Sequence, residues 1–308
     1  MRTTMKSRVT TFMLALAFVW HPIAHAAQAQ RTFASPEEAV AALVAGLKAF
    51  DRNELLAILG KDAGSWIGSG DSVADRATAR RFVDDYEQQN AVKRDGDRAA
   101  LTVGQAGYEF AFPVVKAGER WRFDTAAGKE EMLARRIGAN ELDAIETLRA
   151  IVDAQLEYAS EDRDGNGTLE YAQRLASSPG KRDGLYWPTK SGEALSPLGP
   201  LVATAAEAGY SKGAKPQPYH GYYFRMLRGQ GSDASTGALD YVVRKRAIGG
   251  FAVVAWPARY GNSGVMTFIV NHEGVVYERD LGPDTHAVAT AMKQYNPGKG
   301  WTRVASQR

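Results

Sequence analysis

The sequence predicts an α+β protein, and three observations predict it. Apolar residues recur at helical spacing from Ser35 to Gln89, and then alternate as strands do up to Thr125. A long helical stripe follows between Glu141 and Ala159. From residue 216 onward, β-rich runs are separated by turns built on Gly, Asn and Pro.

The first unit opens with "SPEEAVAALVAGLKAF". Ser35 is a natural N-cap, Pro36 suits the first helical position, and Glu37 and Glu38 suit the positive end of the helix dipole. Val40, Leu43, Val44 and Leu47 mark its apolar face. A second helix, "ELLAIL", stops at Gly60, and a third covers Arg76 to Gln89 with Phe82, Val83 and Tyr86 facing inward. After the turn at Asp95 to Asp97, "AALTV", "YEFAFPVV" and "RWRFDT" read as strands, the last two joined at Ala117 and Gly118. Next, "KEEMLARRI" is expected to halt at Gly138, and Asn140 to recap a separate helix. That helix carries Leu142, Ile145, Leu148, Val152 and Leu156 as a packing stripe. An acidic loop and the breaker-rich "SSPGKRDGLYWP" come next, and Ser196 and Pro197 open a further helix to about Ala208. "GYYFRML", "GFAVVAW", "GVMTFIV" and "GVVYERDL" are strands, and "NHEG" (Asn271 to Gly274) is a tight hairpin connection. Val265 to Val270 is apolar on both faces, as a central strand covered on each side would be. A terminal helix is expected over Thr285 to Tyr295.

These elements suggest a signal peptide at residues 1–26, an α+β unit at 27–126, a helical segment at 127–215 and an antiparallel β unit with a terminal helix at 216–308. Arg2, Lys6 and Arg8 precede the apolar run Phe12 to Trp20, with small residues at Ala24 and Ala26. That order describes a secretory signal peptide cut after Ala26 or a few residues later. Its apolar run is far below the ~20 residues that span a bilayer. The expected location is periplasmic or secreted, with no membrane span once the signal is removed. The three basic residues of segment 1–26 account for the whole formal charge of +3. Without them no basic excess is left to attract nucleic acid. The chain has no cysteine, so disulfides, thiol nucleophiles and Cys-ligated zinc are all excluded.

The strongest chemical signal is "DRDGNGTLEYAQ". Counted from Asp162, a calcium loop would draw on Asp162, Asp164 and Asn166 at positions one, three and five. Thr168 would lend its carbonyl at seven, Glu170 stands at nine and Gln173 at twelve. Gly167 takes the sharp turn at six. Gln173 replaces the usual bidentate glutamate, so a weak structural calcium site and a plain Asx-rich turn both remain open. Three histidines follow residue 26: His220, His272 and His286. None has zinc-site spacing. His272 is expected to be exposed in its hairpin turn, and His220, beside an aromatic strand, could frame a pocket. There is no G-x-S-x-G elbow, and "GQGSDASTG" lacks the third glycine and following helix of a nucleotide loop.

"SPGKRDGLYWP", "GYYFRML", "IGGFAVVAWPARYGNSGVMTFIVNHEGVVYERDLGPDT" and "GERWRFDT…EEMLARRIGANEL" together resemble a bacterial family of exported proteins catalogued as domain of unknown function twenty-nine fifty. The resemblance runs across nearly all of the chain after the signal segment and implies no established activity, so it supplies no catalytic residues. The first unit also resembles the cone-shaped NTF2-like fold in topology. The favoured reading is an exported, non-catalytic binding or envelope-assembly module, whose partner is an envelope protein or a small ligand. Its alternative is a hydrolase-type enzyme with a pocket in the NTF2-like unit or near His220.

Overall fold

The computed structural model describes residues 30–163, 165–210 and 216–305. The expected signal segment and Asp164 therefore lie outside the described residues. The architecture is α+β, as the sequence predicts. Helices α1 (Pro36–Ala49), α2 (Arg52–Leu59) and α3 (Ser72–Gln88) come first, with a 3-10 turn at Lys61–Ser65. Each α-helix starts on a side-chain cap that satisfies otherwise orphaned N–H groups. Ser35 accepts from Glu38 N, Asp51 from Asn53 N and Glu54 N, and Asp71 from Val73 N and Ala74 N. Because Asp71 is the cap, α3 starts four residues before the expected Arg76.

Strands β1 (Asn90–Asp95), β2 (Arg98–Val103), β3 (Tyr108–Glu109), β4 (Val114–Ala117) and β5 (Arg120–Phe123) form an antiparallel sheet in the order β1-β2-β4-β5, with β3 on β2. Strand β1 was not anticipated: five of its six residues are exposed, so it shows no alternation. The expected run "YEFAFPVV" is broken into β3 and β4. Pro113, which has no N–H for a ladder, separates them. Leu43, Ile58, Trp66, Leu101 and Phe123 centre the core between helices and sheet.

Helix α4 (Thr125–Ala159) is one element of 35 residues. The expected stop at Gly138 does not occur. A mid-helix glycine costs only about 1 kcal/mol against alanine, and the helix is fixed at both ends by burial. Met132 and Leu133 pack on the first core, while Leu148, Ile151 and Ala154 belong to a second one. Asn140 is not a cap; its amide donates to Ser263 O at 2.8 Å. Beyond the acidic loop the chain is irregular up to α5 (Gly199–Glu207).

The large sheet has the order β13-β11-β10-β9-β6, built from β6 (Tyr222–Leu227), β9 (Ala252–Pro257), β10 (Met266–Asn271), β11 (Tyr277–Asp280) and β13 (Thr302–Arg303). All its pairings are antiparallel. Val253, Ala255, Phe268 and Val270 face α4 in the second core. Their neighbours Val254, Trp256 and Ile269 face a third core with Tyr241, Ala289 and Tyr295. The central strand is thus covered on both sides, as its two-faced apolar run predicts. The terminal helix α6 (Thr285–Ala291) is shorter than expected. The chain then becomes β12 (Gln294–Tyr295), which pairs in parallel with β7 (Gly229–Gln230), itself joined to β8 (Leu239–Asp240).

Candidate ligand-binding pocket

The helices and sheet of the first unit leave a chamber of about 610 Å³ between them. Leu43 and Leu47 of α1, Leu55 and Leu59 of α2, Phe82 of α3 and Met132 of α4 line it. Aromatic rings meet tilted or edge-on along another wall: ring centroids are 5.0 Å apart for Phe82 and Phe110, 5.2 Å for Phe110 and Phe112, and 5.5 Å for Phe112 and Trp66. Arg81 and Arg135 stand exposed at the rim, the latter's guanidinium 4.7 Å above the Tyr108 ring.

Polar groups gather where the first unit meets the β unit. Arg136, Asn140 and Asp143 line the chamber from one face of α4, since residues three and four apart on a helix stand above one another. Arg136 Nη1 donates to Trp66 O (2.7 Å) and Asn262 Oδ1 (2.5 Å), and Nη2 to Ile67 O (3.2 Å). From the other side, Arg259 donates to Gly68 O and Ser65 O, both at 2.7 Å. Loop 65–71 is thus held through its carbonyls by α4 and the β9–β10 connection. Asp75 accepts from Ser69 N on both carboxylate oxygens, at 3.1 and 3.0 Å. Burial pushes its carboxyl above the usual range, partly offset by the Ser69 bonds and by Arg136. Burial likewise draws the Arg136 guanidinium below its usual value.

His220 completes this end. Its Nδ1 stands 3.0 Å from Asp143 Oδ2, with both side chains roughly two-fifths exposed (36% and 42%). The His220 backbone is left-handed (φ 48°). Its N–H donates to Tyr210 Oη at 3.2 Å, and the next N–H, of Gly221, donates to Asp71 Oδ2 at 3.0 Å. Tyr210 Oη donates in turn to Asp71 Oδ2 at 2.7 Å. Burial pushes the Tyr210 phenol well above its usual value. Gly221 has φ 74°, and a Cβ there would collide with the Asn140 amide. The one residue that the sequence marked as able to frame a pocket therefore lines a real one. Its partner Asp143, and Asp75 and Arg136, which line the same chamber, were missed. No local signal marked them: residues 136, 140 and 143 share a face of α4 away from the expected stripe, whose Leu142 and Leu156 are in fact exposed.

The other histidines lie elsewhere. His272 is half-buried, a departure from the exposure expected of its turn. The hairpin folds back on Gly250, whose missing side chain admits the imidazole beside Tyr241 and Phe251. His286 Nδ1 accepts from Trp256 Nε1 at 3.1 Å.

The acidic loop is tied into the fold by hydrogen bonds. Asp162 Oδ1 accepts from Gly165 N (2.9 Å) and Asn166 N (3.0 Å), and Oδ2 from Gly167 N (2.8 Å). Asn166 Oδ1 accepts from Thr168 N at 3.0 Å. The Asn166 amide donates to Glu170, whose second oxygen accepts from Ala247 N at 2.9 Å. Arg246 donates to the Thr168 hydroxyl, and Gln173 Nε2 donates to Lys245 O at 2.7 Å. Asn166, Thr168, Glu170 and Gln173 thus meet the turn at 245–247, while Asp162 closes the loop on its own backbone. Among the described residues no cluster of three or more His, Asp or Glu is placed to hold a metal ion.

A family model with the description "Protein of unknown function (DUF2950)" matches residues 30–304. No match was found among curated proteins or among solved structures. Among the described residues no helix is long and apolar enough to cross a membrane.

Proposed function

We propose, for a chain that belongs to the DUF2950 family, that it is a binding protein for a small amphipathic molecule. The observation that carries this reading is the chamber itself. Its volume of about 610 Å³ lies within the ~300–1,000 Å³ usual for small-molecule sites, and such sites combine apolar walls with a few convergent polar groups. An apolar chain would lie against Leu43, Leu47 and Phe82. The polar end would lie toward Arg136 and Asn140, at the end of the chamber where His220 and Asp143 are partly exposed to water.

The test is binding of a fluorescent fatty acid to the purified protein, together with mass spectrometry of whatever solvent extraction releases from it. Saturable binding is expected, and Ala77→Phe, which fills the chamber from α3, should abolish it. Equal binding by wild type and Ala77→Phe would show that the probe sits elsewhere and would refute the reading.

Export is part of the same proposal, on the strength of Arg2, Lys6, Arg8 and the apolar run that follows. Mass spectrometry of the periplasmic protein should find an N-terminus between Ala27 and Gln30, whereas recovery of full-length chain alone would exclude it. Calcium is the ligand proposed for the acidic loop, on its oxygen-bearing residues Asp162, Asp164, Asn166, Thr168, Glu170 and Gln173.

A further inference from the structure

Binding alone gives no task to His220 and Asp143. Asp143 Oδ2, 3.0 Å from Nδ1, keeps the proton of the neutral imidazole on that nitrogen and leaves the lone pair on Nε2. Among the described residues Nε2 has no hydrogen-bond partner, and His220 lines the chamber. The ring is wedged edge-on against Tyr219 at 4.3 Å, with Tyr210 at 6.1 Å. Its left-handed backbone (φ 48°) is a strained conformation for a residue with a side chain. Two hydrogen bonds hold that conformation, from His220 N to Tyr210 and from Gly221 N to Asp71. An imidazole tied to a carboxylate on one side and open to a wet chamber mouth on the other has the layout of a general base.

We propose that His220 is a general base, positioned by Asp143, that activates water to hydrolyse a carboxylic ester whose apolar chain lies in the chamber. This inference rests on the reading of the chamber as a small-molecule site. Water is the nucleophile because the chain has no cysteine. In addition, no serine or threonine hydroxyl bonds His220 among the described residues. As the water oxygen bonds to the carbonyl carbon, one of its protons passes to Nε2. Collapse of the tetrahedral adduct breaks the bond to the alcohol oxygen, and the proton on Nε2 passes to that departing alkoxide. One ester and one water thus give one carboxylic acid and one alcohol. Arg136, which lines the same chamber, contributes positive potential to it although its own hydrogen bonds go to Trp66, Ile67 and Asn262.

The experiment measures hydrolysis of p-nitrophenyl octanoate and p-nitrophenyl acetate by the full chain, alongside binding of dansyl-undecanoic acid, which cannot be hydrolysed. The octanoate should be the better substrate. His220→Asn, chosen because asparagine tolerates a left-handed backbone, should lower kcat by ~10²–10⁴-fold with dye affinity unchanged. Asp143→Asn should lower kcat and leave KM and dye affinity in place, whereas a merely structural role would weaken binding as well. Dye binding without hydrolysis above the His220→Asn background overturns the catalytic proposal and leaves the chamber as a binding site. Absence of dye binding overturns the reading of the chamber itself, and the hydrolysis with it.

Discussion

The carboxyl of Asp75 sits at the edge of an apolar chamber, with the Ser69 N–H spanning both its oxygens. Burial raises its pKa above that of the unfolded chain, so the folded protein keeps this proton to higher pH. The stability it contributes is complete below the unfolded value and is lost as pH rises through the folded one. Asp75→Asn removes that loss and keeps one oxygen for Ser69. Urea midpoints measured from about pH 4 to about pH 7 should therefore move in favour of the variant as pH rises, through and above the ordinary aspartate range. A difference that stays flat across that range would show that burial does not perturb this group. Neither Asp75 nor its neighbour Arg136 was legible beforehand. Each is a charged residue on a helix, and most such residues are solvated. What sets them apart is the backbone of loop 65–71, whose path no local pattern reveals.

At the level of elements, α4 carries a correctable weakness. Gly138 is exposed in mid-helix, and a Cβ there would meet nothing within 4 Å. Gly138→Ala should stabilise the protein by about 0.5–1 kcal/mol, because it removes backbone freedom from the unfolded chain without adding a clash. A rise of a few degrees in Tm would register it; no rise would mean that the glycine serves the helix in some other way. The acidic loop offers a second test. If calcium joins Asp162, Asp164 and Asn166, an ion at ten times its Kd adds about 1.4 kcal/mol. Melts in millimolar calcium should then run ~2–4 °C above melts in chelator, and Asp164→Ala should remove the difference. A wild-type melt indifferent to calcium would leave the loop as a turn closed by Arg246 and Ala247. Strands β9 and β10 were readable because six-residue apolar runs between glycines have few other uses. Strand β1 was not, because it pairs with β2 in a hairpin and buries almost nothing. The unbroken α4 was misread for the opposite reason: tertiary burial at both ends outweighed one poor helix former.

At the scale of the whole molecule, the seam between the first unit and the β unit decides how cooperatively the protein unfolds. Arg136 touches both sides at once, through Trp66 and Ile67 on one and Asn262 on the other. Arg136→Ala would leave those carbonyls unpaired at about 1–3 kcal/mol each where buried. It should turn a single calorimetric transition into two, the first unit melting earlier; a single transition shifted as a whole would show that Arg259 and Asn262 suffice. The α+β class of the fold was legible because periodicity is local. The chamber was not, since Asp75, Arg136, Asp143 and His220 meet only after α4 has spanned two cores. That span also makes the chain indivisible. A fragment ending at residue 126 would lose Met132 and Leu133 from over its aromatic wall, and one beginning at 127 would carry those side chains with nothing to cover them. A cut placed after residue 159 would instead bare Leu148 and Ile151. Neither half should prove a portable module, and separately expressed halves are expected in the insoluble fraction. Any tag, fusion or surface tether belongs at the C-terminal end of the chain and not at its waist.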